Sequence, residues 1–341
     1  MKLKQLASAL GLSPTTVSRA LNGYPEVNEA TRERVLAAAK QYNYQPNARA
    51  LRLATGKARA IGHVIPIASR HEMVNPVFAD FIAGAGEIYA RAGYDMILSQ
   101  VTGGSEADAY RELSRRGAVD GIILHGARVE DSRIALLHEL GLPFLMHGRA
   151  SGTQAPYSWV DVNNRRAFRR AGDFLLDLGH RRIAFLNGLE FMDFAMRRRR
   201  GFEEAHAERG LAADPALITS TEMTEGQGYA HAAHMLDGPE PPTAFLASSI
   251  ITGIGIRRAI EGRGLRLGGD VSVIVHDDDL SFMKNGEDLP IFTATRSSVR
   301  EAGRQAAGML LAIIDDPESA PQTRLLEAEL IIGQSTGPAR Q

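Results

Sequence analysis

Thr15, Thr16, Ser18 and Arg19 are the first side chains in the chain whose types and spacing point to chemistry. They fall within the stretch Pro14 to Leu21, where Val17, Ala20 and Leu21 take the remaining inward positions. Hydroxyls and one guanidinium therefore share the outer face of a short helix. Such groups bond to phosphate oxygens and to base edges, and an arginine fork fits guanine O6 and N7. Residues that would signal catalysis are missing. There is no Gly-x-x-x-x-Gly-Lys-Ser/Thr loop, no Gly-x-Gly-x-x-Gly after the first apolar strand and no Ser/His/Asp series. His231 and His234 lack a third ligand, and the chain has no cysteine, so neither a metal site nor a disulfide framework is expected. The expectation is no catalytic residue, no metal and no cofactor.

The elements that must hold those four side chains are legible around them. Leu3, Leu6, Ala7 and Leu10 recur at i, i+3, i+4 and i+7, the apolar face of one helix, and Gly11 supplies a left-handed stop. Ser13 is placed to cap the next helix, Pro14 suits its first position, and Leu12 and Val17 have the spacing of a hydrophobic staple. Asn28 can cap a third helix with Val35, Leu36, Ala39 and Tyr42 on its inner face. Two helices joined by a tight glycine turn, the second carrying hydroxyls and an arginine, make a helix-turn-helix.

Charge agrees with that reading. Residues 1–57 hold nine lysines and arginines against three glutamates, a net of +6, in a chain whose formal charge is −1. A basic end on an acidic body indicates a polyanion partner for that end only. The 341 residues are too many for one core. No apolar run reaches the length of a membrane span, and no apolar core follows Lys2 and Lys4 as in a signal peptide, so a cytoplasmic protein without a membrane partner is expected.

Asn43 to Pro46 breaks the third helix, and Asn47 to Gly56 has the length of about two helical turns, too short to be stable alone. Beyond Ala58 short apolar strands alternate with amphipathic helices in two series of about five units, the texture of parallel sheets covered on both faces. The expected fold is α/β: an all-α headpiece (1–45), a hinge helix and linker (46–57), and a core (58–341) of two doubly wound parallel-sheet subdomains. The first subdomain is expected over about 58–160 plus 293–322 and the second over about 161–292 plus 323–341, with a ligand between them beyond the strand carboxyl ends.

Over essentially its whole length the chain resembles the LacI/GalR family of transcription regulators, and among them the sugar-responsive repressors, those of α-glucoside use included. The resemblance is carried by Leu12-Ser-Pro-Thr-Thr-Val-Ser-Arg-Ala-Leu-Asn22, Val27-Asn-Glu-Ala-Thr-Arg32 and the stretch from Tyr44 to Leu53. In the core it is carried by Val119-Asp-Gly-Ile122, Leu178-Gly-His-Arg-Arg-Ile183, Arg198-Arg-Arg-Gly-Phe202, Pro242-Thr-Ala-Phe245 and Asp270-Val-Ser-Val273. It implies a periplasmic-binding-protein-like core and a homodimer on pseudo-palindromic double-stranded operator DNA. The recognition helix would lie in the major groove and paired hinge helices in the minor groove. Pro14, Thr15 and Arg19 would face base edges, although Pro14 can offer only apolar contact. Ser13, Thr16, Ser18, Asn22, Asn28 and Thr31 would position phosphates, with simple capping an equal reading for Ser13 and Asn28. Leu53 would wedge between base steps, with Asn47 and Ala50 behind it on the same face.

For the core the resemblance puts Arg198 in the cleft and favours Asp277, of the run His276-Asp-Asp-Asp279, as the carboxylate that fixes adjacent sugar hydroxyls. Arg197, Arg199 and Arg200 are expected on a solvated face, and Asp278 and Asp279 in bland roles. Phe78 is placed to stack on the ligand. His125 and His147 end consecutive strands and are as readily structural as ligand-binding. Arg149 and Trp159 are weaker candidates. Ser248 and Met223 stand where many relatives carry an asparagine and an aromatic, which implies a differently shaped pocket. The resulting expectation is a repressor controlled by a saccharide between two lobes, of either sign of response. A dimer is favoured over a tetramer because no heptad pattern follows Gly333. The rivals are a sugar-metabolising enzyme and an exported solute-binding protein on the same fold.

Overall fold

The computed structural model describes residues 1–44, 56–65, 75–101 and 105–340. It divides into two units, Met1–Ala58 and Arg59–Gln341. In the first, α1 (Leu3–Leu10) ends at Gly11, whose φ of 66° places it in the left-handed region. The side chain of Ser13 caps α2 (Pro14–Leu21) by accepting from the Thr16 amide, and Pro14 opens the helix. Asn28 caps α3 (Glu29–Gln41) in the same way, accepting from the Thr31 amide. The three helices close over Leu6, Ala7, Val17, Ala20, Val27 and Val35, with Leu12 packed against them as the staple spacing requires.

One face was misjudged. Leu36 and Tyr42 are 48% and 46% exposed, and the inner face of α3 is Val35, Ala38 and Ala39. Those three lie at i, i+3 and i+4, and the alanines let short helices approach closely, so there is no room inside for two larger side chains.

Among the described residues the second unit holds two six-stranded sheets. Strands β1 (Ala60–Ile65), β2 (Asp95–Gln100), β3 (Gly121–Leu124), β4 (Phe144–His147), β5 (Trp159–Val162) and β11 (Thr323–Leu326) form the first, in the order β11-β5-β4-β3-β1-β2 and all parallel. Strands β6 (Ile183–Asn187), β7 (Ile218–Ser220), β8 (Ala244–Ala247), β9 (Ser272–Asp277), β10 (Thr293–Arg296) and β12 (Glu329–Ile331) form the second, in the order β12-β10-β9-β8-β6-β7, with only β12 antiparallel. Strands β1, β3, β6, β8 and β9 are buried along their whole length, as expected of parallel strands covered on both faces.

The register corrects the subdomain boundaries. Residues Thr293–Arg296 pair with β9 in the second sheet, not the first, and Thr323–Leu326 pair with β5 in the first, not the second. Strand texture alone does not name a strand's partner.

Helices α4 (Pro76–Ala92) and α11 (Val299–Asp315) pack closely in the first lobe: a Cβ at Gly84 would lie 2.0 Å from the Arg300 carbonyl oxygen. Gly255, on α10 (Ile250–Glu261), has the same role, 2.1 Å from the Glu225 carbonyl at the start of α9 (Glu225–Leu236). Among the described residues no helix is long and apolar enough to cross a membrane.

Candidate functional site: a cavity between the lobes

The carboxyl ends of β3, β4, β8 and β9 open onto a cavity of about 380 Å³. Arg198, which α8 (Asp193–Ala207) delivers, lines it 94% buried. Asn164, at the first turn of α7 (Asn164–Asp177), accepts from Arg198 Nε at 2.7 Å, and the Ser248 carbonyl accepts from Nη1 at 2.5 Å. The guanidinium lies 4.8 Å from the Phe168 ring centre and 4.9 Å from that of Phe194. Burial pushes Arg198 down to about 10, opposed by the carboxylates of Asp278 and Asp161. It stays charged at neutral pH, oriented by two hydrogen bonds and two rings.

On the opposing lobe, Phe78 and Phe81 from α4 meet the His125 ring edge to face at 4.9 and 5.0 Å, and Phe81 stacks on His147 at 4.2 Å. His125 and His147 both line the cavity. Burial pushes His147 down to about 4 against the pull of Asp278. Burial, with His63, His147 and Arg133 nearby, pushes His125 well below its ordinary value. Both rings are neutral near pH 7, able to donate one hydrogen bond and accept another.

Of the eight ligand residues expected from sequence, Phe78, His125, His147, Arg198, Met223 and Ser248 line the cavity; Arg149 and Asp277 do not. The Ser248 hydroxyl is engaged by Asn187 Oδ1 at 2.8 Å. Asp277 accepts from the Asp279 amide at 2.9 Å and faces Arg296 at 4.0 Å. Its neighbour Asp278 lines the cavity instead, 3.5 Å from His276 Nε2. The pleat turns His276 and Asp277 to opposite faces at the end of β9, and Asp278, the first residue past the strand, falls on the His276 side. Burial alone would raise Asp278, but His276, Arg198 and His147 hold it below the usual carboxylate value.

Arg149 stands one layer back, bonded through Nε to Asp161 at 2.7 Å and lying over Trp159, and it is Asp161 that lines the cavity. Sequence reasoning also missed Asn164, His276 and His63. His63 carried a signal, a histidine inside the fully buried strand Ala60–Ile65.

Two sets of hydrogen bonds join the lobes. The amide of Asp193 donates to the Ala127 carbonyl at 3.0 Å, that of Val129 to Phe191 at 3.2 Å, and that of Ser151 to Asp193 Oδ2 at 2.8 Å. Arg197, expected on a solvated face, pairs with Asp193 and donates to Ser151 Oγ at 2.7 Å. In the second set the Ser281 amide and hydroxyl donate to Asp80 at 2.7 and 2.6 Å. Arg199 and Arg200 do sit on the outer face, paired with glutamates.

In the headpiece, Pro14, Thr15 and Arg19 are exposed, while Thr16, Ser18 and Thr31 are half-buried. The Ser13 hydroxyl is shared between the Thr16 amide at 3.0 Å and the Thr16 hydroxyl at 2.8 Å. Asn28 Oδ1 accepts from the Thr31 amide at 2.8 Å, and Asn22 Nδ2 donates to the Ser18 carbonyl at 2.9 Å. Ser13, Asn22 and Asn28 thus have local partners, and Arg19 has no ion-pair partner among the described residues. Asn47, Ala50 and Leu53 lie outside the described residues. No group of three or more His, Cys, Asp or Glu among the described residues is placed to hold a metal ion.

Comparison with known proteins agrees with both units. Residues 2–47 match the bacterial regulatory proteins of the lacI family, and residues 173–336 match the periplasmic binding protein-like domain. The chain is 44% identical to the HTH-type transcriptional regulator AglR of Rhizobium meliloti (strain 1021), over 99% of this chain and 95% of that protein. It is 35% identical to the HTH-type transcriptional regulator RafR of Escherichia coli, over 94% of each. The solved complex of the transcriptional regulator CelR with cellobiose superposes with a TM-score of 0.72 at 28% identity, covering 98% of this chain and 99% of that one. With a capped helix-turn-helix at one end and a two-lobed cavity in the other unit, the chain belongs to the LacI family of bacterial regulatory proteins, regulators of transcription rather than enzymes.

Proposed function

We propose that this chain is a cytoplasmic, homodimeric repressor whose grip on operator DNA is set by an uncharged saccharide held between the lobes. The observation that carries the ligand class is the make-up of the cavity wall. Phe78, Phe81 and Phe194 supply apolar faces, while His125, His147, Arg198 and Asp278 supply donors and acceptors between them. Among the described residues that line it, Arg198 is the single guanidinium, and its fork is already turned to Asn164 and the Ser248 carbonyl, with Asp278 on the wall nearby. A phosphorylated ligand would find no second cation on the wall and the Asp278 carboxylate close by, whereas vicinal hydroxyls suit mixed donors and acceptors. The cellobiose held by CelR is a ligand of this class.

In the headpiece, Arg19 and Thr15 read base edges, and Ser18 and Thr16 position the backbone. Hinge residues Asn47, Ala50 and Leu53 enter the minor groove. Ligand binding biases the relation of the two lobes, and a coupling of about 1–3 kcal/mol between cavity and operator is enough for graded control. The test is a gel shift on the DNA flanking the protein's own gene, alone and with cellobiose, maltose or ribose. An operator shift that Arg19→Ala abolishes and a saccharide alters supports the reading. Binding indifferent to every neutral saccharide, or altered only by sugar phosphates, overturns it.

A further inference from the structure

A buried chain of three polar side chains ends at the cavity. The Tyr89 hydroxyl lies 3.4 Å from His63 Nε2, and His63 Nδ1 lies 2.9 Å from His125 Nε2. Tyr89, His63 and His125 are 1%, 0% and 3% exposed, and of the three only His125 lines the cavity. Phe78 and Phe81 press their rings on His125 at right angles, and the His125 carbonyl accepts from Arg133 at 2.9 Å, so the imidazole is held in place.

A neutral imidazole carries one N–H, and the short contact between the two rings needs one proton, not two or none. Burial keeps the rings neutral, pushing His63 down to about 3 and His125 well below its ordinary value. Two arrangements satisfy the ring-to-ring bond. In one, His63 donates from Nδ1, its Nε2 accepts from the Tyr89 hydroxyl, and the His125 proton sits on Nδ1. In the other, His125 donates from Nε2 and His63 donates from Nε2 to the Tyr89 oxygen. The second arrangement leaves the Tyr89 O–H without an acceptor, since among the described residues that buried hydroxyl meets no hydrogen-bond partner but His63. An unsatisfied buried donor is costly, whereas an unused lone pair on the same oxygen is tolerated.

We propose that Tyr89 and His63 are positioning residues that hold His125 in a single tautomer, with its Nδ1–H presented to the cavity as a fixed donor. The effector must then place an acceptor oxygen there: a hydroxyl, a ring oxygen or a glycosidic oxygen. This rests on the reading of the cavity as the effector site. It goes further by giving one wall a defined polarity, which complements the carboxylate of Asp278 on the other lobe.

The test is imidazole nitrogen NMR on the full-length, nitrogen-15-labelled protein at neutral pH, with the His125→Gln variant used to assign the His125 signals. The expected result is one neutral tautomer for His125 with the proton on Nδ1, and a mixture of tautomers on both rings in Tyr89→Phe. In the same pair, affinity for cellobiose or maltose, measured by calorimetry, is expected to fall by roughly three- to tenfold in Tyr89→Phe. A proton on Nε2 of His125, or a tautomer unmoved by Tyr89→Phe, overturns the proposal, and a purely structural Tyr89 would leave the tautomer unmoved. Loss of every saccharide response with the expected tautomer intact instead sinks the assignment of the cavity. A wrong tautomer with saccharide response retained sinks the relay alone.

Discussion

At the scale of single residues, Arg198 concentrates the chemistry of the cavity. Its fork is fixed by Asn164 and the Ser248 carbonyl and lies between Phe168 and Phe194. A lysine keeps the charge but neither the planar fork nor the stacking. Arg198→Lys is therefore expected to weaken saccharide binding by roughly tenfold or more while leaving ligand-free operator binding intact, as read by calorimetry and gel shift. The aspartates make a sharper pair. Asp278 faces the cavity and Asp277 faces Arg296. Asp278→Asn is expected to lose saccharide affinity several-fold and Asp277→Asn to retain it; the reverse order would mean that the pleat has been read on the wrong face. The sequence alone favours Asp277 for the ligand role. Three adjacent aspartates at a strand end look alike until the strand's neighbours fix which face is which.

At the scale of elements, most of the headpiece was legible because its signals are local. Caps, a glycine stop and apolar spacing act within a few residues, so Ser13, Asn28 and Gly11 could be assigned from neighbours alone. The same locality makes α2 vulnerable at its cap. Ser13→Ala removes the acceptor of the Thr16 amide and is expected to cost about 1 kcal/mol of headpiece stability, measured as a lower denaturation midpoint, with weaker operator binding. Leu36 and Tyr42 were misplaced because periodicity reports which residues are apolar, not how much volume three short helices can enclose. In the core, the elements from Ala60 to Asp277 are legible to within a few residues, but none is read beyond them, and the stretches that hold β10 and β11 are assigned to the wrong lobes, since pairing is decided by residues far apart in sequence.

At the scale of the whole molecule, the buried histidines tie stability to pH. His63 is held down to about 3 and His147 to about 4, and His125 well below its ordinary value, all chiefly by burial. The unfolded chain binds protons at these sites below about pH 6.5 and the folded chain does not, so stability is fully present above that pH and falls as pH drops toward 4. Each ring contributes a slope of up to about 1.4 kcal/mol per pH unit in that window. Thermal melts at pH 7.5 and pH 5 are expected to show a marked loss of core stability at the lower pH, and His147→Gln to reduce it; equal melting at both would contradict the burial seen here. The lobes are also joined directly, through Asp193 to Ser151 and through Asp80 to Ser281. Asp193→Ala is expected to favour an open arrangement, giving a larger radius of gyration in small-angle scattering and roughly tenfold weaker saccharide binding, because closure loses charge-assisted hydrogen bonds.

Taken by itself, the sequence determined the class of both units, the helix-turn-helix with its caps and the alternation of strand and helix, and through the family resemblance it named eight candidate ligand residues, six of which line the cavity. The units, the caps and the alternation follow from spacing, charge and motif, which act along the chain; the cavity residues follow from the resemblance. Only the tertiary structure decided which aspartate faces the ligand, which strands cross between lobes, that Arg149 supports Asp161 from behind, and that His63 stands behind His125. Those outcomes depend on which groups meet across gaps of tens to hundreds of residues, and on how deeply each is removed from water.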